Sequence, residues 1–191
     1  GRYEHIPMVI LTPFSHGITK RIANEDLSSF DYIFCWLGNT DLLVSIIKLI
    51  EDKMNLEHDV SEVGVQIILL VEDGIRFYSS ILPNLYKFVL KQSQEFSTEA
   101  LNAHQRTLRM RGRPKIVLAR TYNEAIGIYE KYKNNILGVI TDVRFPRVER
   151  GEKDALAGIK LCAAIRKEDP FVPLIIQSSE SENVSYAAKY L

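Results

Sequence analysis

The feature that most constrains the fold of this chain is a repeated alternation between short apolar runs and stretches of helical periodicity. The apolar residues of these runs are continuous, which is typical of strands covered on both faces of a sheet. Strands that alternate with helices favour a parallel sheet with helices on both sides. We therefore predict an α/β fold with a doubly wound parallel sheet. The predicted strands are Ile6–Leu11, Tyr32–Leu37, Val65–Val71, Lys115–Ala119, Ile136–Thr141 and Val172–Gln177.

Helix signals occupy the intervals between these runs. Thr40 is a candidate N-cap of one helix, and Thr121 with Glu124 forms a capping-box pattern that predicts the start of another. A third helix, beginning near Gly74, contains Pro83, which should start, kink or divide it because proline has no backbone N–H to donate. The helix after Thr40 should be amphipathic. Its apolar face would contain Leu43, Ile46, Ile47 and Ile50, and its charged face Lys48, Glu51, Asp52 and Lys53.

Two polar stretches without periodicity indicate how the chain is organised. Asn55–Glu62 predicts a linker, so we expect an N-terminal segment (residues 1–55), the linker (56–63) and a second unit (64–191). Gln92–Pro114 is expected to be an insertion between a helix and the next strand. The end of this insertion is basic, and we interpret it as a solvated, salt-bridged helix or a partner surface rather than a nucleic-acid site. Its basic residues are Arg106, Arg109, Arg111, Arg113 and Lys115.

Charge and composition narrow the classes of function. Lysine plus arginine equals aspartate plus glutamate at 24 each, so no net charge attracts nucleic acid or an anionic membrane. No apolar run approaches the roughly 18–20 residues that span a bilayer, and the N-terminus lacks a signal-peptide pattern. Cys35 and Cys162 lie in separate apolar stretches without metal-ligand spacing, which predicts two buried thiols. We expect a cytoplasmic protein.

Three of the predicted strands end in polar side chains. Glu72 and Asp73 follow one strand, Asp142 follows a second and Ser178 follows a third. Because ligands of parallel sheets collect at the carboxyl ends of the strands, we expect these groups at one rim. Clustered carboxylates repel one another unless a cation neutralises them, and Mg²⁺ accepts oxygen ligands of this kind. The residues therefore predict a Mg²⁺-dependent phosphoryl site, provided that no lysine or arginine fills the space between the carboxylates.

The segments that carry these residues resemble a known family. They are Val71–Gly74 (VEDG), Thr141–Pro146 (TDVRFP) and Pro173–Ser179 (PLIIQSS). In this order they resemble the signature segments of bacterial response-regulator receiver domains, which have a flavodoxin-like fold. The resemblance implies a phosphoacceptor module of a two-component phosphorelay, served by a histidine kinase or another phosphodonor. The segment itself would not be an enzyme, apart from an autophosphatase activity.

The resemblance also implies a role for each residue of the predicted site. Asp142 would be the phosphoacceptor, Pro146 the proline that follows it in the family, and Ser178 the switch hydroxyl that binds the phosphoryl group. The Mg²⁺ ligands would be Glu72, Asp73, Asp142 and the backbone carbonyl of Arg144.

Three features depart from the family pattern. The lysine that follows the fifth strand of a receiver, and neutralises the phosphoryl group, is absent because the second unit is expected to lack its last strand and helix. Gln92–Pro114 stands where the family has a short loop, and Glu72 stands where aspartate is more frequent. These departures favour an alternative function, a non-phosphorylated pseudo-receiver that acts as a regulatory or docking module. A strand-terminal aspartate that caps a turn is the structural alternative for Asp142.

The N-terminal segment resembles the second half of another receiver. Pro7–Thr12 is similar to the fourth strand, with Thr12 at the switch position, and Tyr32–Leu37 is similar to the fifth strand, with Trp36 near the place of the family lysine. This segment alone would therefore not accept a phosphoryl group. The tandem arrangement resembles the N-terminal region of bacterial proteins related to phosphoenolpyruvate synthase and pyruvate phosphate dikinase. We expect Ile6–Met54 to supply the missing half of the second unit, within the chain or in a homodimer.

Overall fold

The computed structural model describes residues 6–13, 29–98 and 112–178. The strands are β1 (Val9–Pro13), β2 (Tyr32–Trp36), β3 (Ile67–Val71), β4 (Lys115–Ala119), β5 (Ile136–Asp142), β6 (Phe145–Pro146), β7 (Lys153–Asp154) and β8 (Leu174–Gln177). The helices are α1 (Asp41–His58), α2 (Ile75–Thr98), α3 (Tyr122–Tyr132) and α4 (Ala157–Glu168). A π-helical turn (Asp59–Val63) follows α1 and a 3-10 turn (Lys133–Asn135) follows α3. Each predicted apolar run overlaps one of these strands.

In the described ranges, the central sheet has four parallel strands in the order β4-β3-β5-β8. Counted along the chain, this order is 2-1-3-4, which is the flavodoxin-like order as far as its fourth strand. The prediction of an α/β fold with a parallel sheet is confirmed. The connection that leaves β3 runs to one side of the sheet and the connection that leaves β5 runs to the other. A crevice therefore forms at the carboxyl ends of these two strands, where doubly wound proteins place their ligands.

Two apolar cores cover the opposite faces of this sheet. Leu69 and Val71 of β3 contribute to one core, together with residues of α3 and α4 such as Leu161. Leu70, which points to the opposite face, contributes to the other core with residues of α1, α2 and β2, such as Leu82. Both faces of β3 and β4 are buried, which is why these strands have continuous apolar sequences rather than alternating ones. The predicted covering of the sheet by helices on both sides is therefore found.

The N-terminal segment packs against the second unit within the same chain. In the described part, β2 pairs with the parallel strand β1 and does not join the four-stranded sheet; it lies against helix α2 instead. The buried ring of Phe34 meets the ring of Tyr78 edge-on, with 5.5 Å between the ring centroids. The backbone N–H of Cys35 donates to Ser79 Oγ at 2.9 Å, and the Tyr78 hydroxyl donates to the carbonyl of Ile33. The segment thus shares a core with the sheet without extending it.

Helix α1 differs from its prediction in two respects. It runs to His58 and continues as a π-helical turn that ends at Gly64, whose φ of 70° lies in the left-handed region. The polar stretch Asn55–Glu62 is therefore helical rather than irregular. The buried face of α1 also differs, since Leu43 and Ile47 are 44% and 63% exposed. The residues that are buried are Leu42, Ser45, Ile46, Leu49, Asp52 and Leu56.

Pro83 lies inside α2, which is a single helix from Ile75 to Thr98. The expectation that this proline starts or divides the helix is wrong. Its missing N–H and its ring cost about 3 kcal/mol. Leu82 and Tyr86, on either side of the proline, are almost completely buried in the core. Burying side chains of this size contributes about 1.5–3 kcal/mol each, which is enough to offset the proline and keep the helix continuous.

A buried ionic cluster joins α1 to the start of β4. Asp52 is fully buried, and its Oδ1 lies 2.6 Å from Arg113 Nη2. Its Oδ2 accepts hydrogen bonds from the Tyr86 hydroxyl at 2.9 Å and from the backbone N–H of Ile116 at 3.0 Å. Lys115, whose side chain is 4% exposed, lies 3.7 Å from the same carboxylate. These contacts join the carboxylate to α2 and to the chain at the start of β4, which fixes α1 against the sheet.

This cluster corrects two predictions. Asp52 was expected on the charged face of α1, and Arg113 and Lys115 were expected in a solvated basic run. All three are buried because each charge finds a counter-ion in the core, where an unpaired charge would be costly. The other basic residues of that run, Arg106, Arg109 and Arg111, lie outside the described residues.

Both cysteines are free thiols, and Cys35 and Cys162 are buried as predicted. Within the described ranges, no helix combines the length and the apolar character that a membrane span needs.

Candidate metal and phosphoacceptor site

Three carboxylates meet at the carboxyl edge of the central sheet. Glu72 and Asp73 directly follow β3, and Asp142 is the last residue of β5. Each of the three side chains offers an oxygen atom, and these atoms all lie within 4.8 Å of one another. Because β3 and β5 are hydrogen-bonded neighbours and Val71 pairs with Thr141, the residue after each strand arrives at the same rim. The structure therefore brings together the three carboxylates predicted as metal ligands.

Glu72 is the most buried member of the cluster, with 5% of its surface exposed. Its Oε1 accepts a hydrogen bond from the backbone N–H of Gly74 at 2.8 Å. Burial raises the pKa of Glu72 to about 7; the hydrogen bond from Gly74 opposes this rise, and the charges of Asp142 and Asp73 add to it. A cation that binds beside this carboxyl group should displace its proton, since a nearby positive charge favours the ionised form.

Asp142 is positioned by its own strand and by the start of helix α4. The backbone N–H of Arg144 donates to Asp142 Oδ2 at 3.3 Å, and burial raises the pKa of the carboxyl group. Thr141 Oγ1 donates to the backbone oxygen of Asp142 at 2.8 Å. A Cβ atom at Gly158 would lie 2.0 Å from that oxygen. Position 158 therefore requires glycine, because α4 begins in direct contact with the backbone of the candidate acceptor.

Asp73 combines an ion pair with an unsatisfied oxygen. Its Oδ2 lies 2.6 Å from Lys153 Nζ. Its Oδ1 is buried and has no hydrogen-bond partner among the described residues. A buried carboxylate oxygen without a partner is uncommon and calls for an explanation, such as an ion or a water molecule. Together with the oxygen atoms of Glu72 and Asp142, it forms the all-oxygen donor set that Mg²⁺ prefers.

Lys153 is the one basic side chain that is paired with a member of this cluster in the described part of the chain. It stands at the rim on the short β-ribbon β6–β7, where Pro146 pairs with Lys153. The sequence interpretation required that no lysine fill the space between the carboxylates. Lys153 touches one oxygen of Asp73 and its side chain is 45% exposed, while Oδ1 of Asp73 has no partner among the residues that the structure describes. The lysine therefore borders the cluster from the solvent side and contacts one of its carboxylates.

No signal in the sequence pointed to this lysine. The segment between Asp142 and α4 mixes apolar and charged residues without periodicity, and the two strands of the ribbon have only two residues each. Two residues per strand are too few for an alternating apolar pattern to be recognised in the sequence. Its position follows instead from the burial of Phe145, which is fully enclosed in the core beneath the ribbon.

Of the remaining predicted residues, Ser178 and Pro146 lie at or near the same edge, and Thr12 belongs to another sheet. Ser178 directly follows β8, in which Gln177 pairs with Asp142, so its backbone is next to the carboxyl end of β5. Pro146 is buried in β6. Thr12 belongs to the separate two-stranded sheet, where its hydroxyl donates to the carbonyl of Pro13 at 3.2 Å.

No protein-family model and no curated protein matches the chain. Among solved structures, the chain is similar to a response regulator receiver domain protein from Clostridium thermocellum. The TM-score is 0.41 and the sequence identity is 22%, over 65% of this chain and 75% of that chain. A similarity of this size carries no argument about function, and the assignment of the fold rests on the strand order of the chain itself. The relation to phosphoenolpyruvate synthase and pyruvate phosphate dikinase stays a prediction.

Proposed function

We propose that this chain is a receiver module that accepts a phosphoryl group on Asp142 in a Mg²⁺-dependent reaction. The observation that carries the proposal is the convergence of the oxygen atoms of Glu72, Asp73 and Asp142 within 4.8 Å. They converge in the crevice of a sheet with flavodoxin-like strand order. The donor would be a histidine kinase or another phosphodonor of a two-component phosphorelay in the cytoplasm.

The residues of the cluster fit a hard divalent cation. Mg²⁺ would be held by Glu72, Asp73 and Asp142, and by the backbone carbonyl of Arg144 that the family resemblance adds. The buried Oδ1 of Asp73, which has no partner in the described part of the chain, supports this fit. When bound, the cation would neutralise charge on the phosphoryl oxygens.

The transfer itself requires a nucleophilic carboxylate and an accessible phosphorus atom. An oxygen of Asp142 attacks phosphorus and forms the new P–O bond, while the P–N or P–O bond to the donor breaks. The leaving group keeps the bonding electron pair and takes up a proton from the donor protein or from water. The backbone N–H of Arg144, 3.3 Å from Asp142 Oδ2, orients the carboxylate. Ser178, next to Asp142 at the end of β8, would bind the transferred phosphoryl group as the switch hydroxyl.

Binding of beryllofluoride, a phosphoryl analogue, tests this proposal. With Mg²⁺ present and the analogue at about a hundred times its dissociation constant, the folded state should gain about 2.7 kcal/mol. For a chain of this size that gain should raise the melting temperature by about 5–10 °C. The variant Asp142→Asn should lose the effect. Asp41→Asn is the matched control, because Asp41 lies exposed in the first turn of α1 and should leave the effect unchanged. Equal shifts in the wild type and in Asp142→Asn would refute the phosphoacceptor role.

One observation favours a second candidate function. The ion pair between Lys153 and Asp73 gives the cluster an internal counter-ion, as expected of a pseudo-receiver that docks or regulates without being phosphorylated. Such a module could serve a protein related to phosphoenolpyruvate synthase or pyruvate phosphate dikinase. Mg²⁺ affinity separates the two functions, because a docking module with a permanent internal cation should bind Mg²⁺ no better than Asp142→Asn does.

A further inference from the structure

Lys153 reaches the carboxylate cluster from an element that is fixed at both ends. The ribbon β6–β7 pairs Phe145 with Asp154 and Pro146 with Lys153. Phe145 is fully buried in the core. At the other end, Asp154 accepts hydrogen bonds from the backbone N–H of Leu156 at 3.0 Å and from Lys160 Nζ at 2.6 Å. The backbone of Lys153 is therefore held at the rim on both sides, and its side chain reaches Asp73 from there.

Two arginines near this edge lie over aromatic rings. The guanidinium of Arg147 lies over the ring of Tyr122, 5.0 Å from its centroid. The guanidinium of Arg120 lies over the ring of Tyr32 at 5.8 Å. Lys153, by contrast, forms an ion pair with one of the carboxylates.

The charge of Lys153 acts on the whole cluster. It lies 2.6 Å from Asp73, and it lowers the pKa of both Glu72 and Asp142 against the effect of burial. One ammonium group nevertheless offsets only one of three carboxylates. A divalent cation that binds Asp73 has to compete with this ion pair, because the lysine holds an oxygen of a proposed ligand.

We propose that Lys153 is an exchangeable counter-ion of this site. Without a divalent cation it pairs with Asp73; when the cation takes Asp73, the ammonium group is released and pairs with the phosphoryl group on Asp142. This inference rests on the proposed function. The side chain is 45% exposed and carries four rotatable methylene groups, so it can move along the rim without a change in the backbone. A compact ammonium on a flexible stem is suited to following a charge in this way.

The exchange has two steps, release of Lys153 from Asp73 and its pairing with the phosphoryl group. In the variant Lys153→Met these steps predict changes of opposite sign in the affinities for Mg²⁺ and for beryllofluoride. Mg²⁺ should bind about two- to fivefold more tightly, which is the range expected when a partly exposed ion pair no longer competes. Beryllofluoride, added with saturating Mg²⁺, should bind about three- to tenfold more weakly, because a charged hydrogen bond to the analogue is lost. Lys153→Arg keeps the charge and should stay close to the wild type in both measurements.

Both affinities are measured on the full chain, Mg²⁺ by isothermal titration calorimetry and beryllofluoride by the shift in melting temperature. Lys48→Met is the matched control, because Lys48 makes a 2.6 Å ion pair with Glu51 at 30% exposure but lies on α1, outside the cluster. A change of the same sign in both affinities would overturn the proposed exchange, since a general loss of structure weakens the binding of both ligands. No difference between Lys153→Met and Lys48→Met, with both ligands bound by the wild type, would overturn this inference alone. Failure of the wild type to bind either ligand would overturn the proposed function as well.

Discussion

Replacing Glu72 by glutamine should change how the stability of the protein depends on pH. In the folded state the carboxyl group is buried and its pKa is raised to about 7 from an ordinary value of 4.5. Below pH 4.5 the group is protonated in both the folded and the unfolded state. As the pH rises from 4.5 through 7, the unfolded chain ionises first, and stability is lost over this window.

The size of the effect follows from the two pKa values. At 1.36 kcal/mol per pH unit, the full difference corresponds to about 3 kcal/mol. Between pH 5 and pH 8 the wild type should therefore lose about 2–3 kcal/mol of its free energy of unfolding because of Glu72. Glu72→Gln cannot ionise, and its amide oxygen can still accept the hydrogen bond from Gly74. The variant should be more stable than the wild type at pH 8 and of similar stability at pH 5.

Urea unfolding at a series of pH values, without divalent cations, measures this difference. Glu124→Gln is the matched control, because Glu124 is an exposed carboxylate that also accepts a backbone hydrogen bond, from Arg120 at 2.7 Å. It should keep the pH dependence of the wild type. Saturating Mg²⁺ should restore stability at pH 8 in the wild type, since the cation binds the ionised carboxylate, and restore less in Glu72→Gln. Parallel pH profiles for the wild type and Glu72→Gln would refute this account of the buried carboxyl group.

Three further predictions concern the buried cluster around Asp52, the close contact at Gly158 and the pH dependence of Mg²⁺ binding. Asp52→Asn leaves a buried guanidinium without its counter-ion and should cost about 3–5 kcal/mol in urea unfolding. Glu51→Gln changes a carboxylate whose side chain is 41% exposed and should cost less than about 1 kcal/mol. Equal losses in the two variants would contradict the buried cluster. Gly158→Ala places a Cβ 2.0 Å from a backbone oxygen and should destabilise the protein by about 1–3 kcal/mol. In Gly127→Ala the new Cβ meets no atom of the described residues within 4 Å, and the variant should stabilise its helix by about 0.5–1 kcal/mol; the reverse order of stabilities would refute the close contact at Gly158. Mg²⁺ affinity should fall about tenfold per pH unit below pH 7, because Glu72 must lose a proton to bind the cation; calorimetry showing a flat profile would contradict this.

The sequence predicted the sheet and the convergence of the carboxylates because both follow from the backbone. Continuous apolar runs indicate buried parallel strands, and the residues that follow neighbouring strands must arrive at one edge. Glu72, Asp73 and Asp142 were found by this rule without knowledge of any contact. The strand order could then be compared with known topologies only after the structure gave the pairing of β3 with both β4 and β5.

The ionic contacts were missed because they depend on side chains from distant parts of the chain. Asp52 lies on the same helical face as Leu49 and Leu56, at spacings of three and four residues, and this position was the available signal for burial. Its charge predicted that the side chain would be exposed to solvent instead, since an isolated charge is seldom buried. Its partner Arg113 is 61 residues away in sequence, and no local pattern relates the two. The contact of Lys153 with Asp73 was not predicted for the same reason, because it depends on how the ribbon is anchored.

The cluster around Asp52 has a consequence for any attempt to shorten the chain. A fragment of residues 64–191 would contain all the residues of the carboxylate site, yet it would leave Arg113 and Lys115 facing the space vacated by α1. Two basic side chains and the apolar surface of α2 would then be open to water. Such a fragment should aggregate or unfold at lower urea concentration than the full chain. Any loss of ligand binding in the fragment would then report the removal of α1 rather than a property of the carboxylate site.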